Sequence, residues 1–323
     1  MDPRNETIIT EFFLVGFRNL HGFKIPFFIL LLVIYTMTAT GNLLIILLIS
    51  TSRLRLSPMY FFLSHLSFCD FLFTTNIVPK MMQVTFFEGG VISYPGCLVQ
   101  FYMFGSCTAA ECYLLSVMSY DRYLAICHPL RYVAIMDRLC LHLVSWSWLL
   151  AFVFVLITLL LLCRLDFCNA NIIDHFYCDL SPLLILSCSD TSAVEMETLI
   201  LTNFIVLLPF VFVIVTYICI FITILGISSS MGRQKAFSTC SSHLAVVCSY
   251  YGSLISIYSA PSEGQSLTVN KVLSLLYTVV TPLFNPIIYS LRNQEIRKRA
   301  EIRLADDRLP APLLPSGGGM ESA

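Results

Sequence analysis

The sequence predicts an all-α membrane protein: a bundle of seven transmembrane helices with the amino terminus outside the cell and the carboxy terminus in the cytoplasm. Three observations carry that prediction. Of the 323 residues, 57% are hydrophobic and 12% charged, whereas soluble domains run near 25% charged. Several stretches carry no charge over the ~20 residues that a helix needs to cross the hydrocarbon. Those stretches also lack the inside–outside alternation of barrel strands. The composition argues against a soluble enzyme, and a net charge of −1 leaves no footprint for nucleic acid as a partner.

The elements are taken in chain order. Residues 1–24 form an extracellular amino terminus. Twenty-eight uncharged residues separate Lys24 from Arg53 and predict a first helix over 25–50. That run is too long for a cleaved signal and lacks a small-residue cleavage site, so it reads as a retained anchor. Helix two, over 57–80, holds the single acid Asp70, and helix three, over 94–127, holds Glu111. Helix four, over 139–162, fills the 25 uncharged residues between Arg138 and Arg164. Helix five, over 197–226, lies between Glu197 and Arg233. Helix six, over 236–260, lies between Lys235 and Glu263, and helix seven, over 270–292, between Lys271 and Arg292. Pro58, Pro79, Pro209, Pro282 and Pro286 fall at helix ends or inside spans, where neighbouring groups satisfy the freed backbone. The transmembrane domain is thus 25–292, with a long extracellular loop over 164–194. A short juxtamembrane amphipathic helix is expected over 293–304. The tail over 305–323 contains the Pro/Gly-rich Leu309–Gly319 and is expected to be disordered.

Orientation comes from Lys/Arg placement. With the amino terminus outside, 13 of the 19 basic residues lie on the cytoplasmic side. The sequon Asn5-Glu6-Thr7, a glycosylation acceptor at Asn5, agrees. Four of the 13 cysteines, Cys97, Cys168, Cys178 and Cys188, fall on extracellular segments. The secretory route is oxidising, so two disulfides are expected, in any of three pairings. The other nine read as small apolar packing residues within helices or near the inner face. His175, near Asp166, Asp174 and Asp179, offers metal-ligand chemistry, but a solvated loop fixed by disulfides is the simpler reading.

Some residues do not belong in hydrocarbon. Asp70 and Glu111, with Asn42 and Asn285, must face the bundle interior. They suit a cation pocket, a proton relay or an interhelical hydrogen-bond network. Asp121-Arg122-Tyr123 ends helix three, where an Arg at the membrane surface can pair or release. Phe104, Thr108 and Glu111 stand at i, i+4 and i+7 on one face. Phe104 and Arg122 are ~27 Å apart along that helix, so one rod joins an outer cavity wall to the inner surface.

Specific runs carry a family resemblance. They are Leu20-His21-Gly22, Gly41-Asn42, Pro58 to Ser64 (PMYFFLS), Ser119 to Tyr132 (SYDRYLAICHPLRY), Lys235 to Leu244 (KAFSTCSSHL) and Pro282 to Asn293 (PLFNPIIYSLRN). Over about residues 10–300 the chain resembles the olfactory receptors, of the terrestrial (class II) type, within the rhodopsin-like G-protein-coupled receptors. The resemblance implies disulfides Cys97–Cys178 and Cys168–Cys188, and a sodium ion at Asp70 and Glu111 as the only bound cofactor. It implies a G-protein switch built from Asp121, Arg122, Tyr123, Tyr217, Asn285, Pro286 and Tyr289. It implies an odorant cavity lined by Phe104, Gly105, Thr108, Ala109 and Cys112 of helix three and by Thr202 and Val206 of helix five. Tyr251, Leu254, Ile255 and Tyr258 of helix six and Thr278 of helix seven would complete it. The implied partners are an odorant, membrane lipid and a stimulatory, olfactory-type heterotrimeric G protein that raises cyclic AMP. The implied site of action is the plasma membrane of olfactory neuron cilia. The family's usual Ser-Tyr in helix five is Thr216-Tyr217 here, its Met-Ala-Tyr is Met118-Ser119-Tyr120, and the tail after Ala300 has no counterpart.

The chemistry indicates a ligand-gated switch and no enzyme, since no nucleophile–base pair, phosphate loop or spaced metal set is present. Mostly apolar walls with a few hydroxyls suit a small volatile ligand. Burying ~250 Å² at about 25 cal/mol per Å² gives ~6 kcal/mol before ordering costs, which implies micromolar or weaker, broadly tuned binding. No acid stands on the outer half of helix three to anchor an amine. A secondary transporter would show inverted repeats, which are missing, and a retinal protein needs a Lys in mid-helix seven, where residues 272–291 have none.

Overall fold

The computed structural model describes residues 9–17, 21–168, 171–258 and 267–292. Asn5, the 293–304 helix and the tail lie outside the described residues. Within the helices, the side chains of Ile255, Tyr258 and Tyr289 also lie outside them.

Helix dominates. The order is β1 (Glu11–Leu14), α1 (Lys24–Ser50), α2 (Pro58–Phe86), β2 (Gly90–Ser93), α3 (Tyr94–Cys127), α4 (Pro129–Leu162), β3 (Ile172–Ile173), α5 (Leu180–Leu186), α6 (Ser192–Thr202), α7 (Leu208–Leu225), α8 (Ser230–Tyr258), α9 (Leu267–Leu275) and α10 (Thr281–Arg292). A π-helical turn, Asn203–Leu207, joins α6 to α7, and another, Leu276–Val280, joins α9 to α10. Among the described residues, five helical runs are long and apolar enough to cross a membrane: Lys24–Ser50, Pro58–Phe86, Pro129–Leu162, Ser192–Leu225 and Lys271–Ile288. Helix α3 is not one of them despite its 34 residues. It packs against α2, α4 and α7, so most of its surface meets protein, and it can carry Glu111, Asp121 and Arg122.

Local chemistry sets the ends. Ser50 and Thr51 donate their hydroxyls to Leu47 O (3.1 and 2.6 Å), closing α1. Ser52 caps the 3₁₀ turn Arg53–Leu56 by accepting from Leu54 N. Pro58 then occupies the first turn of α2, where its missing N–H costs nothing. Ser93 accepts from Gly96 N (3.2 Å) at the start of α3. Several ends differ from the sequence reading. Helix α4 starts at Pro129 rather than 139, because the charges at Arg131, Asp137 and Arg138 sit on an exposed first stretch of helix and do not interrupt it. Helix α2 passes Pro79 and Lys80 and runs to Phe86, the Lys80 ammonium reaching Val91 O (2.7 Å). Helices α6 and α8 likewise begin five and six residues before the predicted 197 and 236.

The segment read as a bare loop over 164–194 holds β3 and α5, the latter capped by Asp179 Oδ1 accepting from Leu180 N (2.8 Å). Strand β1 lies between β2, antiparallel with Glu11 opposite Ser93, and β3, parallel with Leu14 opposite Ile173. Phe12 and Leu14 of β1 are fully buried while Glu11 and Phe13 face out, the alternation of a half-covered strand. The Phe12 ring packs against Tyr94 and Phe167. Gly16 comes next with φ +66, and a Cβ there would stand 2.6 Å from Val84 Cγ1, so only glycine suits the position. This sheet covers one end of the bundle, here called the sheet end. Disulfides join Cys97 to Cys178, tying the top of α3 to the segment after β3, and Cys168 to Cys188. Cys163 at the sheet end of α4 and Cys248 of α8 are exposed, outside the packing role read for the unpaired cysteines.

Candidate functional site

Helix α3 is the spine of the site. Toward the sheet end, the Phe104 ring meets Tyr177 of the 164–194 segment (5.0 Å between centroids), Phe73 of α2 (5.3 Å) and Tyr277 (6.3 Å). One turn deeper, Thr108 is a hub. Tyr250 of α8 donates to its carbonyl (2.7 Å), and Tyr277 of the second π-turn donates to its Oγ1 (2.8 Å). One further turn down, Tyr251 donates to Cys112 O (3.4 Å), and the Cys112 sulfur is 3.5 Å from the Tyr250 hydroxyl. The Tyr250–Tyr251 and Tyr251–Phe210 contacts (5.5 and 4.8 Å) extend the aromatic chain to α7. The arrangement is an aromatic wall studded with hydroxyls.

Of the residues expected to line a cavity, Phe104, Thr108, Cys112 and Tyr251 come together here. Leu254 and Thr278 are buried close by in sequence, Thr278 returning its hydroxyl to Ser274 O (2.7 Å). Ala109 is fully buried in α3, and Thr202 and Val206 are half-buried at and just beyond the end of α6. Gly105 does not belong with them. A Cβ on it would lie 2.9 Å from Val155 Cγ1, so Gly105 is the close-approach point of α3 on α4. Ile255 and Tyr258 lie outside the described side chains.

Sequence reasoning missed Tyr250, Tyr277, Phe73 and Tyr177. Tyr277 escaped because its π-turn buries the consecutive residues Tyr277, Thr278 and Val279, which no 3.6-residue period anticipates. Tyr250 adjoins the predicted Tyr251 and was within reach of the same reading.

Deeper still, Asn285 of α10 donates to both oxygens of Asp70 (3.1 and 3.0 Å). Asn42 of α1 donates to Thr38 O (3.0 Å) and reaches Pro282 O (3.5 Å). Glu111 of α3 is buried as well. Its Oε1 and the Asn285 Oδ1 have no protein partner among the described residues. No group of three His, Cys, Asp or Glu able to hold a metal occurs among the described residues, so His175 and its neighbouring acids do not assemble a metal site.

At the far end of α3, Arg122 is 9% exposed and donates to Asp121 through Nε (2.9 Å) and a terminal nitrogen. Tyr132 of α4 donates to the other Asp121 oxygen (2.8 Å), a contact that depends on α4 starting at Pro129. Tyr217 of α7 and His243 of α8 stack, with hydroxyl and Nδ1 2.7 Å apart. Tyr123 pairs with His128 Nε2 (3.1 Å).

At the sheet end, the Lys271 ammonium is buried and donates to Asp174 Oδ1 and to Gly16 O, both at 2.7 Å. His175, 6% exposed, packs on the Phe176 and Tyr177 rings. Burial first and the Lys271 cation second lower its pKa to about 3, so its imidazole is neutral.

Comparison with known proteins agrees with this architecture. The sequence model of the family described as Olfactory receptor matches residues 31–306. Olfactory receptor 11A1 of Homo sapiens is 46% identical over 295 residues, covering 91% of this chain and 93% of its own length. Olfactory receptor 5G29 of Mus musculus is 44% identical over 312 residues, 96% of this chain and 99% of its own. With an aromatic wall at one end of its central helix and a buried Asp–Arg pair at the other, the chain is a multi-pass membrane protein of the olfactory receptor family, a rhodopsin-like G-protein-coupled receptor and not an enzyme.

Proposed function

We propose that this receptor binds a small, mostly apolar odorant against the wall of Phe104, Thr108, Cys112 and Tyr251. Binding would promote nucleotide exchange on a stimulatory, olfactory-type G protein and raise cyclic AMP. The observation that carries the reading is the Thr108 hub. Helices α3, α8 and α9–α10 meet there through two tyrosine hydroxyls, on the same helix that ends in the Asp121–Arg122 pair. A ligand that fits better when these helices shift favours that shift by the difference in binding free energy alone. Leu254, Ile255, Tyr258, Thr202, Val206 and Thr278 complete the proposed lining. Asp121, Arg122, Tyr123, Tyr217, Asn285, Pro286 and Tyr289 form the proposed switch.

In this reading seven helices span the plasma membrane of olfactory cilia, the sheet end is extracellular, and Asn5 is glycosylated. Residues 293–304 lie along the inner leaflet. Asp70, Glu111 and Asn285 would hold a sodium ion, whose preference for oxygen ligands the unpartnered Glu111 Oε1 and Asn285 Oδ1 suit.

A cyclic-AMP reporter screen against a chemically diverse odorant panel tests the reading, with Arg122→Ala as control. The expected result is a concentration-dependent response from a subset of odorants, lost in a variant that still reaches the cell surface. Full signalling by Arg122→Ala removes Arg122 from the mechanism. Silence across the panel in cells that respond to forskolin counts against the ligand class.

A further inference from the structure

We propose that Lys271 is a positioning residue for ligand recognition: it clamps the amino-terminal segment and the 164–194 segment onto α9, and so keeps Tyr177 against Phe104. The proposal rests on the reading of Phe104 as part of the ligand wall.

The geometry is a zipper with one closing tooth. Phe13 N donates to Asn171 O (2.7 Å), Val15 N to Ile173 O (3.0 Å) and Gly16 N to His175 O (3.1 Å), so residues 13–16 run along 171–175. At the end of that run the Lys271 ammonium reaches both strands at once, through Gly16 O and the Asp174 carboxylate. Removing either partner from a buried ion pair leaves a charge without compensation, which is strongly unfavourable. This cover of residues 13–16 and 171–177, the lid, therefore either stays paired with Lys271 or opens to water.

Tyr177 is held from two sides. On its carboxyl side, Cys178 is covalently tied to Cys97, and Cys178 N donates to Gln100 Oε1 (3.0 Å). Both anchors belong to α3. On its amino side, His175 packs edge-on against the Tyr177 ring at 4.5 Å, and Asp174 is held by Lys271 of α9. The covalent hold cannot release, so freedom at Tyr177 depends on the amino-side contacts, of which the ion pair is the one that reaches α9. Because the two holds belong to α3 and to α9, which runs on into the π-turn that carries Tyr277, the clamp also senses the separation of α3 from that turn, the two meeting at Thr108 and Tyr277.

Two measurements test this on the full-length receptor in lipid nanodiscs and in cells. Hydrogen–deuterium exchange of peptides covering 11–17 and 171–177 is read in wild type, Lys271→Met, Lys271→Arg, Asp174→Asn and the swap Lys271→Asp with Asp174→Lys. We expect faster exchange in the Met and Asn variants, recovery in Arg, and partial recovery in the swap, whose carboxylate at position 271 restores the ion pair but cannot donate to Gly16 O. In cells, with C6–C10 aliphatic aldehydes, alcohols and ketones as probes and signals normalised to surface expression, Lys271→Met should raise the half-maximal concentration about tenfold with the plateau retained. Lys271→Arg should return it toward wild type. A purely structural role would lower surface expression and plateau without that shift. Unchanged exchange in both Lys271→Met and Asp174→Asn overturns the proposal, as does a swap that recovers neither readout. If the probes evoke nothing from wild type, the proposed ligand class fails and the exchange measurement alone decides the clamp; should Lys271→Met fail to express, Asp174→Asn and the swap decide it.

Discussion

His175 shows how one residue's surroundings can override its ordinary chemistry. Free histidine titrates near 6.5, but burial against Phe176 and Tyr177, with the Lys271 cation nearby, lowers this to about 3. An opened lid therefore binds more protons than a closed one between those values. The closed lid has its full stability above about pH 6.5 and loses it as pH falls through that window, by up to ~1.4 kcal/mol per pH unit. Asp174 faces the same cluster and partly opposes the effect of the cation. Exchange of residues 171–177 should accelerate from pH 7.5 to pH 5 in wild type and respond much less in His175→Phe. Equal acid sensitivity in the two proteins would exclude His175 as the titrating group.

At the scale of elements, Gly105 links sequence to helix packing. Its missing side chain lets α3 approach α4 until Val155 Cγ1 lies only 2.9 Å from where a Cβ would stand. Gly105→Val must push the helices apart or distort rotamers, with a cost of ~1–3 kcal/mol. A lower melting temperature of the purified receptor is expected, partly restored by Val155→Ala. An unaltered melting temperature would mean that α4 yields freely at this point. The π-turns also act at this scale. Asn203–Leu207 and Leu276–Val280 each add a residue to a turn and rotate the helix beyond it, which is how Tyr277 and Thr278 both turn inward.

For the whole molecule, the decisive feature is that α3 touches both functional ends while α8 and the π-turn before α10 lean on its middle. The Tyr250 hydroxyl ties α8 to α3 at Thr108, a shorter bond than the one Tyr251 makes to Cys112 O. A hydrogen bond of this kind contributes ~1 kcal/mol net. If it favours the resting arrangement, its loss changes a two-state population about fivefold. Tyr250→Phe should accordingly raise cyclic AMP in the absence of odorant by that order, measured against surface expression. Basal signalling equal to wild type would show that the bond is the same in both states.

The sequence by itself determined that the chain is a membrane-embedded helical protein, because uncharged runs such as the one from Lys24 to Arg53 have no other stable state in lipid. It also singled out Asp70, Glu111, Asp121 and Arg122, since charge in an apolar run stands out without any knowledge of partners. Helix ends were less legible. Charged residues at Arg131 and Arg138 read as a boundary, although a helix continues unhindered past the membrane surface. The sheet of β1, β2 and β3 was not legible at all, because it joins Phe13 to Val91 and to Ile172, partners far apart in the chain that only folding brings within hydrogen-bonding distance. The same is true of Lys271. In sequence it is an ordinary basic residue at a helix end. Only the tertiary structure, by burying its ammonium between Gly16 and Asp174, turns it into a clamp, because a cation removed from water must keep the acceptors it finds there.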